Sequence, residues 1–144
     1  MNDASLPGSR EQADVSFSGG QDGPYIDETL DAMGSNRAAR AFVETYRTSV
    51  RACRSVRVTV PGIGSSDVDV REISFARIGD DTFAARFRAR SGALEGLELI
   101  QAGVQSGDIV VGVTTVGFDG SDAEAAADDA VSKAGRKLGT SGAI

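Results

Sequence analysis

Histidine is absent from the chain and cysteine occurs once, at Cys53. Serine and cysteine hydrolases of the usual design need an imidazole as general base, so that large class is excluded. A single cysteine cannot close an internal disulfide, and without histidine the ordinary cysteine and histidine zinc sites cannot be built. No stretch approaches the roughly 18 apolar residues that a membrane helix requires. Basic charge is also short: 15 Lys and Arg face 21 Asp and Glu, for a net charge of -6 and a pI near 4.6. Non-specific nucleic-acid binding depends on a basic surface, so nucleic acid is not an expected partner. The opening residues MNDASLPGSREQADV lack the apolar stretch behind positive charge that marks a secretory signal. Two readings of that start stay open: a cytoplasmic protein, or a mature or truncated segment behind a new initiator methionine.

What is present suits ordinary folding. A chain of 144 residues, 40% hydrophobic and 25% charged, is long enough for one core and short for two. Its basic residues are mostly arginine, and alanine and glycine abound, as in proteins from GC-rich coding sequences. The expected organisation is a flexible segment over 1–13, a single α+β domain over 14–139 and a flexible tail over 140–144. DVSFS at 14–18 predicts a short edge strand, and the glycines at 19, 20 and 23 with Pro24 a break. YIDETLDAM at 25–33 fits a helical face and a strand face equally.

From Ser35 the pattern is firmer. A hydroxyl able to cap free amides opens SNRAARAFVETYRTSVRACRS, and Ala39, Phe42, Tyr46, Val50 and Cys53 recur at steps of three or four. That predicts an amphipathic helix with Arg37, Arg40, Glu44, Arg47, Arg51 and Arg54 on its outer side. VRVTV alternates up to a Pro61-Gly62 turn, and DVDVREISFARI reads as a strand with one irregularity. The triplet Gly79-Asp80-Asp81 then predicts a hairpin tip. In TFAARFRAR, Phe83, Ala85, Phe87 and Ala89 take one face and Ala84, Arg86, Arg88 and Arg90 the other, the pattern of a strand half in a core and half in water. LELIQAGVQ and DIVVGVTTVG, joined at Ser106-Gly107, form the clearest hairpin, and the second of these strands, apolar on both sides, should lie inside the sheet. The last element carries a capping box of Ser121 and Glu124, an inner stripe of Ala127, Val131, Ala134 and Leu138, basic final turns, and Gly139 as terminator. Consecutive strands with short turns predict an antiparallel sheet of about five to six strands, one side of which is buried beneath two main helices.

Candidate chemistry is sparse. Asp80 and Asp81 are paired carboxylates, but at a hairpin tip both would be solvated and neither pKa separated from the other, so turn formation explains them better than acid–base catalysis. Arg86, Arg88 and Arg90 share a face and are the candidate ligand-binding residues, through bidentate hydrogen bonds to an anionic group; the competing reading is a solvated face paired with nearby acids. PGIGSSD lacks the third glycine of a dinucleotide fingerprint and the lysine of a phosphate loop. DGSD lacks the ligand alternation and distal glutamate of a calcium loop. Cys53, on the apolar stripe, is expected to be a buried thiol, with a disulfide to a partner outside this chain as the competitor. No catalytic residue, metal site or cofactor is indicated.

The order of these motifs resembles a family: actinobacterial secreted lipoproteins and sensor domains related to the extracellular domain of the kinase PknH. The likeness runs from about Tyr25 to Leu138 and rests on the extended segment before Ser35, the alanine-rich helix with Cys53 near its end, ISFARIGDDTFAARFR, GDIVVGVTTVG and the closing SKAGRKL. It implies an antiparallel sheet packed with helices, YIDETLDAM as a strand, no enzymatic activity, and a place outside the cytoplasmic membrane in sensing or ligand binding. The chain departs from the family in having no second cysteine to pair with Cys53 and no export signal or membrane helix, as expected of an excised domain. The implied partner is an unknown small-molecule or cell-envelope ligand, with membrane contact only through an anchor absent from this chain. The alternative is a structural or protein-interaction envelope lipoprotein with a protein partner and no small ligand.

Overall fold

The computed structural model describes residues 8–18, 25–118 and 122–141. Seven strands form one antiparallel sheet: β1 (Glu11–Ser18), β2 (Tyr25–Ala32), β3 (Ser55–Val60), β4 (Gly64–Glu72), β5 (Asp81–Ala89), β6 (Leu97–Ser106) and β7 (Ile109–Phe118), in the order β1-β2-β7-β6-β5-β4-β3. Two helices complete it, α1 (Asn36–Ala52) and α2 (Ala123–Ser141), with one 3₁₀ turn at Gly92–Leu94. The α+β class and antiparallel pairing agree with the sequence reading. The strand count is seven rather than five to six, because β1 and β2 both join: β1 starts at Glu11 and pairs β2 along its whole length, and β2 in turn pairs β7.

The expectation that both helices cover one side is corrected. Residues alternate along a strand, and the two alternating sets of β5 are buried under different helices. Phe83 packs with Ala39, Val43 and Val110 beneath α1, and Ala85 with Val50 and Val70. Ala84 packs with Ala102, Val104, Val113 and Val131 beneath α2, while Ile100 meets Ala123 and Ala127. The sheet is thus the middle of three layers. Only the arginine end of β5's second set reaches solvent, since Ala84 is as buried as Phe83.

Local signals explain the helix ends. The Ser35 hydroxyl accepts a hydrogen bond from the Ala38 amide at 3.0 Å, which satisfies one of the free donors of α1's first turn. Ser121 of the expected capping box lies outside the described residues, and Glu124 instead pairs with Arg86. Gly139 does not end α2, which runs to Ser141: it is not among the glycines with positive φ, the conformation through which glycine terminates a helix.

The stretch after β4 is the largest local departure from expectation. Residues 73–80 leave the sheet, cross its α2 face and return at β5, so that Ile73, Phe75 and Ile78 bury against the α2 cluster. β4 and β5 still pair as neighbours, Glu72 opposite Ala85, so the hairpin exists with an eight-residue connection instead of a tight tip. Three apolar side chains draw that connection inward. α2 receives it at Gly135, where any β-carbon would collide with Ile78.

A candidate ligand cleft beneath helix α1

Helix α1 does not cover its whole side of the sheet. It begins after β2, next to Val110 of β7, and ends with Val50 over Val70 of β4 and Ala85 of β5. The part of β2, β7 and β6 beside this diagonal is left open as a cleft of about 350 Å³. Its wall is Phe42 and Tyr46 of α1, and Phe83 and Val110 form its inner end. Asp27, Thr29, Gln101, Gly112 and Thr114 make the floor.

The register explains why these residues meet. Asp27 lies opposite Thr114, Thr114 opposite Gln101, Thr29 opposite Gly112 and Gly112 opposite Gly103, so one face of three strands carries polar and small residues in adjacent rows. The glycine pair keeps the floor low. The Phe83 ring takes the space that a side chain at Gly103 would fill, and the Thr29 hydroxyl approaches where a β-carbon at Gly112 would stand. The aromatic wall is braced internally, with Phe83 4.9 Å from Tyr46 and edge-on to Phe42 at 6.1 Å between ring centroids.

Two hydrogen bonds orient the polar groups. The Tyr46 hydroxyl donates to Gln101 Oε1 at 3.2 Å, linking wall to floor, and the Ser16 hydroxyl donates to Asp27 Oδ1 at 2.5 Å. Burial pushes the Tyr46 phenol above its ordinary range, so it stays a neutral donor. The cleft therefore offers a carboxylate, an amide and two threonine hydroxyls beside an aromatic surface, the mixture of apolar lining and a few placed polar groups that suits a small ligand.

The aspartates at the start of β5 have other duties. Arg47 of α1 grips Asp81 through two hydrogen bonds of 2.7 Å and also donates to the Thr82 carbonyl at 2.8 Å. The guanidinium holds the Asp81 carboxyl below its usual range, against the opposing effect of partial burial. Arg51 clasps Glu72 likewise and lowers its pKa. Asp80 accepts from the Gly107 amide at 2.8 Å, tying the β4–β5 connection to the β6–β7 turn. Asp80 is exposed, as expected, while Asp81 is half-buried against that expectation; Asp80 anchors the connection and Asp81 anchors α1.

The sequence-predicted arginines lie on the other side of the sheet. Arg86 pairs with Glu124 of α2 and Glu98 of β6, and Arg90 pairs with Asp69 at 2.9 Å. Arg88 is likewise engaged. Arg86 and Arg88 come together with Arg71 and Asp69 around a depression of about 230 Å³. Arg90 lines a larger, open hollow of about 670 Å³ with Arg51, Arg54, Asp69, Arg71 and Glu72. Cys53, expected to be buried, is exposed: α1's hydrogen-bonded turns end at Ala52, and Cys53 as C-cap turns off the apolar stripe.

The floor residues were not singled out from the sequence. Their signal was present: Asp27 and Thr29, Gln101 and Gly103, and Gly112 and Thr114 each recur at a spacing of two, which places polar and small side chains on one face of three interior strands. What the sequence does not show is that those faces are adjacent.

No protein-family model matches the sequence, and no curated protein matches it. Among solved structures, the extracellular domain of PknH from Mycobacterium tuberculosis superposes with a TM-score of 0.65 at 21% identity, over 87% of this chain and 61% of that one. The chain has the fold of that domain. At this identity the likeness to PknH is one of fold, and the chain spans about three fifths of the PknH domain's length. The resemblance read from the order of motifs holds at that level, and with it the assignment of YIDETLDAM as strand β2.

Proposed function

We propose that this chain is a non-catalytic extracytoplasmic sensor or ligand-binding domain of an actinobacterial envelope lipoprotein or receptor, and that it holds a small ligand in the cleft beneath α1. The observation that carries the reading is a concave, mixed-lined cavity in the uncovered half of a sheet whose fold is shared with the extracellular domain of a kinase. Likeness to an extracellular domain supports the placement outside the membrane, and no helix among the described residues is long and apolar enough to cross one. The arginine face is the weaker site within this reading, because Arg86 and Arg90 already have carboxylate partners on the protein.

A thermal-shift screen against envelope fragments tests the proposal, since a ligand specific to the native state raises its apparent stability. The expected result is a binder whose effect disappears in Thr114→Trp, which fills the cleft, and persists in Arg88→Ala. A binder lost in Arg88→Ala and kept in Thr114→Trp would move the site to the other face. A screen with no binder would favour the protein-interaction reading. That second reading has its own support: Tyr25 and Phe118 are 59% and 67% exposed on the same face of the sheet as the cleft floor. Crosslinking in the native envelope that recovers one stable protein partner would establish it.

A further inference from the structure

Resting on the cleft reading above, we propose that the ligand is a small organic cation, a protonated amine on a compact apolar body. The argument is one of charge and shape. No lysine or arginine lines the cleft, whereas Asp27 does. Alternation places Asp14 of β1 on the same face of the sheet as Asp27. Arg57, Arg71, Arg86 and Arg88, the arginines of the described strands, all belong to the opposite alternating set. Glu72 and Asp81, also on this face, are matched by Arg51 and Arg47 of α1.

A phosphate or carboxylate would meet the Asp27 carboxylate with no cation in the cleft lining to offset it. An ammonium group would meet a carboxylate at the floor, and Coulomb attraction over such distances strengthens as apolar walls displace water. The rings of Phe42 and Tyr46 suit the rest of such a ligand twice over, by apolar contact and by the attraction of an aromatic face for a cation. A neutral polyol could use Gln101, Thr29 and Thr114 but would gain nothing from the one-signed field.

Three probes with the same ring separate these cases: cyclohexylammonium, cyclohexanol and cyclohexanecarboxylate, each titrated into the full chain while backbone amide resonances are followed by NMR. The amides of Thr29, Gln101 and Thr114 should shift with cyclohexylammonium, which binds about tenfold more tightly than cyclohexanol, with the carboxylate weakest. Asp27→Asn should erase that preference, and Asp14→Asn, at an exposed edge-strand position, should reduce it with the fold undisturbed. Equal binding of cyclohexanol would overturn the cation proposal and leave the cleft intact. A preference unchanged in both variants would also overturn it, showing only general attraction to an acidic protein. No perturbation of the cleft amides by any of the three would overturn the cleft reading itself.

Discussion

The two faces of the sheet are built from the same strands and finished differently. Under α2 the centre of the sheet is closed: the helix and the 73–80 connection cover Ala84, Ile100, Ala102, Val104 and Val113, and exposure on this face is confined to its flanks, at the arginine depression and at Val15 and Leu30. Under α1 a shorter helix runs diagonally from β7 to β4, and polar and small side chains occupy what it leaves bare. The difference shows where packing was needed and where it was not. A fully apolar row is stable only under a cover, so the face that carries Asp27, Thr29, Gln101 and Thr114 can remain uncovered at little cost, and is available to something else.

This contrast can be broken or sharpened by substitution, with stability followed by urea unfolding. The largest effect is expected on the closed face. Ile100→Ala removes a side chain with no exposure beneath α2 and should cost about 2–5 kcal/mol, transfer and cavity terms together. Next comes the clamp that holds α1: Arg47→Met removes two hydrogen bonds to Asp81 and one to the Thr82 carbonyl and should cost about 1.5–3 kcal/mol. The same clamp sets a pH dependence. The folded state lowers the Asp81 pKa, so its contribution is complete above the ordinary aspartate range near about pH 4 and is lost as pH falls through the folded value. Arg47→Met should therefore flatten the acid limb of the stability curve, and an unchanged limb would show the clamp to be unimportant.

Smaller effects belong to the cleft. Tyr46→Phe deletes the hydrogen bond to Gln101 and should cost about 0.5–1.5 kcal/mol. Thr114→Ala, on the floor, should fall within about 0.5 kcal/mol of the parent. A floor substitution that destabilised as much as Ile100→Ala would mean that this face is packed after all, and the distinction between the two sides would collapse.

Local features of the fold were legible in the sequence because their causes are local. Ser35 caps α1 through an amide three residues away, and the β6–β7 hairpin turns at Gly107 with φ of 60°, as its placement after Ser106 predicts. β7 lies between β2 and β6, as a strand apolar on both sides should. The misreadings came from distant partners. Ile73 and Phe75 have strand-like spacing, and only α2, more than forty residues on, turns them and Ile78 into a crossing segment. Ala84 reads as water-facing beside Arg86 until a second helix is known to cover it. The cleft was the least legible part, for its floor depends on β2 pairing with β7, a contact spanning most of the chain.

That last pairing also makes the pocket indivisible. Its wall is contributed by residues 42 and 46, its inner end by 83 and 110, and its floor by 27, 29, 101, 112 and 114. A proteolytic nick that released any one of β2, α1 or the β6–β7 pair would dismantle it, so occupancy and integrity of the whole sheet must rise and fall together.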